Sequence, residues 1–397
     1  LVLHHFGRFA PLGFAYSMLV TPVVVVVMPV ALLAVAVTAW HPALGAPLAA
    51  AAHVLADGLA GLVQACATLP GTAWTAAGPP AWLVGAVYVL TLGPLLYRGR
   101  GAGTRWMRGA GWVCAAVAVA LWLGWLLRPN RGPDVGLHVL SVGNGLATAI
   151  TLADGRAAVY DVGTISNTDA GATMVAALRA LGMRGVESVT LSHANFDHYS
   201  GLPTLLAELS AAELRVGPQF FTAREDRALR RLQTALGDTS PPRRTLAAGD
   251  VLAFGPAQTD VLWPPAELPG VRRAAKDVWL VLRVTVAGRR LLLTGDVDRP
   301  ALRRLLELVA AGELDLRADV LVAPHHGRVW PGDTAALLAA VRPELVIVST
   351  GEPRPAFADL AGQLGARVLS TDAAGAVSVW VRPGGELHVT TARRPPD

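Results

Sequence analysis

Cysteine is nearly missing from this chain. Only Cys66 and Cys114 occur. Beyond Cys114 neither a disulfide frame nor a thiolate metal site can be built, and the two that exist read as plain apolar residues. Acid is scarce in the same region: residues 1–133 hold seven arginines and one carboxylate, Asp57. The other 27 basic residues face 28 acids in residues 134–397. The net charge of +5 therefore belongs to one end, which excludes a nucleic-acid reading founded on global charge. Histidine has a gap of its own, with none between His198 and His325.

What the first 128 residues offer is long apolar runs. A helix needs about 20 apolar residues to cross a bilayer core of about 30 Å. Ala15–Trp40 meets that length, with kinks expected at Pro22 and Pro29. Ala81–Tyr97 and Ala110–Leu127 are two further spans. Ala43–Leu69 carries His53, Asp57 and Gln64 on one helical face, which fits a span lining a polar cavity or a helix lying in the interface. Residues 1–128 are thus expected to be a multi-pass membrane segment of three or four helices. Arg98, Arg100, Arg105 and Arg108 fill the loop between the last two spans, whereas the loop 71–80 is uncharged. The positive-inside rule then puts 98–109 in the cytoplasm and the polar half on the other side of that membrane. No cleavable signal-peptide pattern precedes the spans. The chain starts at Leu1 and is expected to be part of something longer.

Arg128-Pro-Asn-Arg-Gly-Pro133 reads as a break, so residues 129–136 are expected to be a linker and 137–397 a second domain. Strands are expected at 137–142, 148–152, 157–161 and 186–191, with helices over 170–181 and up to about Leu209. The theme then repeats: strands at 251–254, 258–262, 279–286 and 290–294, a helix from Asp298-Arg-Pro300, strand 319–323, helix 333–341, strand 345–348, helix 356–364 and a strand pair within 376–390. Strands followed by helices, twice over, predict an α/β sandwich of two facing sheets with helices outside.

Chemistry-bearing residues gather at strand ends. His193-Ala-Asn195-Phe-Asp197-His198 follows the apolar run Val186–Leu191, Thr294-Gly-Asp296 closes Leu291–Leu293, and Pro324-His325-His326-Gly327 ends 319–323. Imidazoles and carboxylates delivered together from three strand ends are a converging set of metal donors. Taken singly, the His-His pair is an ordinary turn, the Gly-Asp a common one, and Asp197 a favourable helix-start residue. His138 and His388 lie inside strand runs and read as packing or edge residues. Arg224, Arg227, Arg230 and Arg231 read either as a solvated helix face or as a patch that could hold DNA phosphates.

Asp161-Val-Gly163, the box at 193–198, Leu293-Thr-Gly-Asp296 and Ala323-Pro-His-His-Gly327 resemble successive motifs of a metallo-β-lactamase fold. Val346–Val379, including Ser370-Thr-Asp-Ala-Ala-Gly375, resembles the C-terminal domain of the ComEC family of DNA-internalisation competence proteins. So does the hydrophobic half, in which His4-His-Phe-Gly-Arg-Phe-Ala-Pro-Leu-Gly13 precedes the proline-broken helix. The family's OB-like domain and earlier helices would lie upstream. The resemblance implies a multi-pass protein of the inner membrane that passes one DNA strand through a channel, works with other competence uptake proteins and touches membrane lipid. Its extracytoplasmic metal-dependent nuclease domain would degrade the other strand.

In that fold one metal takes the first and third box residues and a later histidine, here His193, Asn195 and nothing. The other takes Asp197, His198 and one of His325 and His326, with Asp296 bridging. Asn195 stands where the family usually has Asp, Ser141-Val-Gly-Asn-Gly-Leu146 replaces Asp-Val-Gly-Gln-Gly-Asp, and the region after Ser349 lacks Gly-His-Pro. The expectation is one good site for a divalent metal, Zn²⁺ or alternatively Mn²⁺, with Asp197 or Asp296 orienting the attacking water. Two other readings stay open: a membrane-tethered hydrolase of a non-DNA substrate, and a catalytically degenerate module on a channel.

Overall fold

The computed structural model describes residues 8–9, 13–68, 74–75, 81–97, 104–126, 134–183, 185–218, 220–221, 227–237, 240–266 and 279–393. The chain divides into two compact units, Leu1–Trp125 and Leu126–Asp397.

Among the described residues the first unit holds four helices, α1 (Gly13–Trp40), α2 (Pro42–Thr68), α3 (Ala81–Tyr97) and α4 (Thr104–Leu126), with a short antiparallel pair, β1 (Arg8–Phe9) and β2 (Trp74–Thr75). Helix α1 runs through Pro22 and Pro29 without interruption. At about 1.5 Å per residue, its 28 residues exceed the thickness of a bilayer core. Among the described residues two segments are long and apolar enough to cross a membrane, Tyr16–Trp40 and Pro42–Ala65. Met18, Val25, Leu33 and Val35 on α1 are exposed, an arrangement that suits lipid rather than water. On α2, His53 Nε2 lies 3.5 Å from Asp57 Oδ2, the pair one helical turn apart. The arginine loop at 98–103 and the break at 127–133 lie outside the described residues, as do His4 and His5.

The second unit is an αββα sandwich. An eight-stranded sheet runs in the order β17 (Leu387–Thr391), β16 (Val377–Val381), β3 (Val135–Val139), β4 (Ala147–Thr151), β5 (Arg156–Val162), β6 (Gly185–Leu191), β7 (Ala211–Val216), β8 (Arg243–Thr245). A seven-stranded sheet runs β15 (Arg367–Ser370), β14 (Leu345–Val348), β13 (Val320–Val322), β12 (Arg289–Leu293), β11 (Val281–Val286), β10 (Ala257–Trp263), β9 (Val251–Phe254). In each sheet four neighbouring strands are parallel, β5 to β8 and β12 to β15, and the rest antiparallel.

Side-chain alternation explains the layering. Leu291, Leu293, Val320, Val322, Leu345 and Ile347 face the core between the sheets. Their neighbours Leu292, Leu321, Val346 and Val348 face the outer helices. Strands apolar on both faces are what a sheet covered on both sides requires. The helices begin where the sequence supplies caps: Asp169 accepts from the Ala172 N–H and Asp298 from the Ala301 N–H, each at 3.0 Å. Strands β7, β8 and β15 were not expected. On β7 only Leu214 and Val216 are buried, alternating with Glu213 and Arg215, all of β8 is exposed, and β15 is an edge strand. Strand β3 starts at Val135, inside the expected linker.

His138 on β3 is a buried, neutral-partnered histidine. Its ring nitrogens lie 2.8 Å from Ser378 Oγ and 2.8 Å from Thr151 Oγ1, and Trp380 packs edge-on at 4.8 Å. A Cβ at residue 136 would lie 2.4 Å from His138 Nε2, so glycine there makes the room. Burial lowers the His138 pKa to about 4. Between that value and the unfolded pKa of about 6.5, the unfolded chain binds the extra proton, so stability falls as pH falls. His138→Gln should flatten the denaturant-measured stability of this unit between pH 6.5 and 4 by up to about 1.4 kcal/mol per pH unit relative to wild type; parallel pH profiles would contradict the assignment.

Candidate metal centre

Parallel strands from both sheets deliver their C-terminal ends to one rim, the usual place for ligands in α/β sheets. Asp161 closes β5, Ser192 to His198 follow β6, Thr294 to Asp296 follow β12, Pro324 to His326 follow β13, and Ser349 follows β14. There Asp197, His198, Asp296 and His326 each bring one ligand atom to within 4.8 Å of all the others. His198 Nε2 is 3.1 Å from Asp296 Oδ1 and 4.0 Å from Asp197 Oδ1. His326 Nε2 is 3.4 Å from Asp296 Oδ2 and 3.5 Å from Asp197 Oδ2.

The other nitrogen of each ring sets which atom faces the cluster. His198 Nδ1 donates to Asp161 Oδ2 at 2.7 Å, and His326 Nδ1 donates to the Ser349 carbonyl at 2.9 Å. Both Nδ1 atoms carry a proton, so both Nε2 atoms face the cluster, the edge a metal-ligating imidazole presents. Asp161 is itself held, accepting from the Ser192 N–H at 2.6 Å. Its φ of +57° is left-handed, as are those of His325 (+49°) and His326 (+54°). Such angles cost a non-glycine residue about 1–3 kcal/mol and persist where a site over-determines them. Glycine solves the remaining crowding: a Cβ on Gly163 would sit 2.5 Å from the His198 nitrogen and one on Gly145 2.9 Å from the Asp197 carbonyl oxygen.

The electrostatics are those of a cation site. Burial by itself would lower the His198 pKa, yet the carboxylates of Asp296 and Asp161 hold it well above its ordinary value. His326 is likewise pushed up to about 9, against its burial, chiefly by Asp296 and Asp197. Asp296 is buried, and His198 and His326 keep it well below the carboxylate range. Two buried carboxylates thus draw positive charge onto the imidazoles facing them. Asp197 Oδ1, His198 Nε2 and His326 Nε2 are all buried without a hydrogen-bond partner among the described residues. His198 Nε2 and Asp296 Oδ1 are close but not aligned as donor and acceptor, the disposition of ligands around a common point. Two imidazole nitrogens and two carboxylates suit a divalent metal, and its entry would displace the protons the imidazoles hold.

The structure does not bring His193, Asn195 or His325 into this group. Asn195 is exposed and caps the short helix Phe196–Tyr199, its Oδ1 accepting from the Phe196 N–H at 3.1 Å. His193 is buried, its ring 4.3 Å from that of His198, with Nδ1 3.1 Å from Ser192 Oγ. His325 turns away toward Trp330, ring to ring at 5.6 Å. No sequence pattern gives Asp161 or Ser349 a role; only the fold shows what their oxygens accept. Arg224 lies outside the described residues, as does the side chain of Arg227. Arg230 and Arg231 lie on the exposed side of the helix Arg227–Leu236, whose Leu229, Leu232 and Leu236 are buried. Arg243 and Arg244 on β8 are also exposed, with the Arg243 guanidinium 4.0 Å over the Phe221 ring.

Residues 1–101 match a family model described as Competence protein, and residues 140–351 one described as Metallo-beta-lactamase superfamily. Competence protein ComA of Neisseria gonorrhoeae is 28% identical over 278 residues, covering 68% of this chain and 36% of that protein. Uncharacterized protein YcaI of Escherichia coli (strain K12) is 26% identical over 213 residues, covering 53% of this chain and 25% of that protein. The chain therefore spans only about a quarter to a third of the length of these relatives. Among solved structures, the metallo-beta-lactamase fold protein YhfI from Bacillus subtilis aligns with 59% of this chain and 96% of its own, at 11% identity and a TM-score of 0.38.

The Asp161–His198 contact yields a direct expectation. Asp161→Asn keeps the shape but weakens the acceptor that fixes the His198 tautomer. Affinity for Zn²⁺, measured by competition with a chromophoric chelator, should fall about 10- to 100-fold while the melting curve stays cooperative. Wild-type affinity in that variant would remove Asp161 from the account.

Proposed function

The chain belongs to the metallo-β-lactamase superfamily, with a competence-protein domain ahead of that fold, and we propose that it serves DNA uptake as a metal-dependent phosphodiesterase coupled to a membrane channel segment. The observation that carries this reading is the buried four-donor cluster of Asp197, His198, Asp296 and His326. Residues 1–128 are the end of the channel domain, and the hydrolase begins with strand β3 at Val135. The charge asymmetry of the spans puts the hydrolase outside the cytoplasm, at the inner membrane. Its partners are single-stranded DNA, membrane lipid and other competence uptake proteins.

One cation per chain fits the donors, because Asn195 is spent on a helix cap and no later histidine replaces it. Mixed nitrogen and carboxylate ligation favours Zn²⁺, with Mn²⁺ as the alternative. Bound there, the metal supplies Lewis acidity toward a phosphoryl oxygen and acidifies a water. The chain's own residues do the rest. Asp197 would help to hold the metal, and its buried Oδ1, which has no hydrogen-bond partner among the described residues, could take a proton from a water at the site. Asp296 stays ionised between two imidazoles and holds their rings in place. Arg230, Arg231, Arg243 and Arg244 supply positive charge for the phosphates of a strand.

One observation favours a second reading. Residues 134–397 hold 27 basic against 28 acidic side chains, a balance that suits a small or neutral substrate as well as DNA.

Both readings are separated by one assay. The whole chain in detergent, loaded with Zn²⁺ or Mn²⁺, should cleave single- or double-stranded DNA, and His198→Ala should lower the rate by at least about 100-fold. Cleavage of a small ester without cleavage of DNA would select the second reading, and neither activity in metal-loaded protein would leave only a degenerate fold.

A further inference from the structure

The four donors reach the rim in two halves. Asp197 and His198 follow β6 of the eight-stranded sheet, whereas Asp296 and His326 follow β12 and β13 of the seven-stranded one. The loop Ser141–Leu146, which joins β3 to β4, touches the segments behind both halves. Toward the first, the Leu146 N–H donates to the Asp197 carbonyl at 3.2 Å. Toward the second, the Ser349 hydroxyl donates to the Gly145 carbonyl at 2.7 Å in a buried contact, and the Gly351 N–H donates to Asn144 Oδ1 at 3.1 Å. The two loops meet closely, since a Cβ on Gly351 would stand 3.0 Å from Asn144 Oδ1 and 3.2 Å from the Gly143 carbonyl carbon.

Ser349 therefore faces two ways. Its carbonyl accepts from His326 Nδ1 at 2.9 Å and sets that ring, while its hydroxyl ties the same residue to the loop that holds the Asp197 backbone. The loop is itself anchored. The Asn144 N–H donates to Ser166 Oγ at 2.9 Å, the Asn144 carbonyl accepts from the Ile165 N–H at 2.9 Å, and the Ser141 hydroxyl donates to the Thr371 carbonyl at 3.0 Å. Metal ligands must be held to within about 0.5 Å, and a ring set by one carbonyl is only as fixed as that carbonyl. His326 Nε2 and Asp197 Oδ2, 3.5 Å apart, come from different sheets, so their separation depends on what ties those strand ends together.

We propose that Ser349 and Asn144 are positioning residues of the metal centre: their bonds across to the loop Ser141–Leu146 hold the His326 ring at its distance from Asp197, and so set the affinity for the cation. The proposal rests on the reading of the four-donor cluster as a metal centre, and it deepens it. Neither side chain touches the cluster. Both act through the Ser349 carbonyl, which no substitution can delete, so the side chains that fix it are where the geometry can be changed. Two bonds that merely supported the sandwich would weaken metal binding through every donor alike, whereas this clamp works through His326.

The test is a double-mutant cycle on Zn²⁺ affinity, read with the whole chain in detergent by competition with a chromophoric chelator. Ser349→Ala removes the hydroxyl but keeps the carbonyl. Asn144→Leu removes the acceptor at similar volume, and Asn144→Asp restores it. Affinity should fall about 5- to 10-fold in Ser349→Ala and in Asn144→Leu, and stay within about 2-fold of wild type in Asn144→Asp. In a His326→Ala background Ser349→Ala should cost less than about 2-fold, because the ring it positions is gone. In an Asp161→Asn background, which acts on His198, it should keep its full cost. Melting curves separate lost binding from lost folding, and if Ser349→Ala does not fold, Asn144→Leu carries the same cycle. An undiminished loss in the His326→Ala background would make the bonds a general support of the fold and overturn the proposal, as would wild-type affinity in both single variants. A wild type that takes up no Zn²⁺ fails earlier and removes the metal-centre reading together with the clamp.

Discussion

Everything at the rim depends on two carboxylates, Asp197 and Asp296, being buried against each other. Taking an ionised carboxylate out of water costs several kcal/mol even after relaxation, and two together add their repulsion. The protein offsets this with two imidazoles that face them, His198 and His326. Their partners, Asp161 behind one and the Ser349 carbonyl behind the other, hold both rings so that the same edge points inward. A buried arrangement with this much unmatched polar capacity is poor for stability alone, which is why a divalent cation is its natural complement.

That constraint propagates outward into the fold. The donors come from both sheets, so the site exists only when the two are packed face to face on the aliphatic core between them. The box cannot shift, because Gly145 and Gly163 let its backbone settle where any side chain would collide. Nor can Asp161, His325 and His326 relax out of their left-handed angles, since each is held by a neighbouring strand end. Strain, close approach and buried charge meet at this rim, while the core between the sheets is aliphatic packing.

The apolar helical unit and the sandwich differ in what their residues could say about themselves. Apolar length announces α1 directly, whereas His53, Asp57 and Gln64 leave the α2 segment open to a span or an interfacial helix. The sandwich was legible where strands are apolar on both faces, as in Val320–Val322 and Leu345–Val348, and where acids cap helices, as at Asp169 and Asp298. Strand β8 was not, because Arg243-Arg244-Thr245 has no buried face and forms only through pairing with β7. Asn195 shows the opposite failure. Its place in the box reads as that of a ligand, but local geometry makes it a helix cap on the surface.

Local pattern along the chain supplies the ingredients: a long apolar helical segment, a two-sheet sandwich, and three strand ends rich in imidazole and carboxylate. Each of those is a property of local period or composition. Only the tertiary structure decided which donors meet. His325 and His326 are adjacent and identical in type, so no pattern distinguishes them; the left-handed turn after β13 aims one at the cluster and the other past it. The role of Asp161 likewise depends on a residue 37 positions away. Ligation is a matter of direction within a few ångströms, and direction is fixed by packing between segments that the chain order keeps apart.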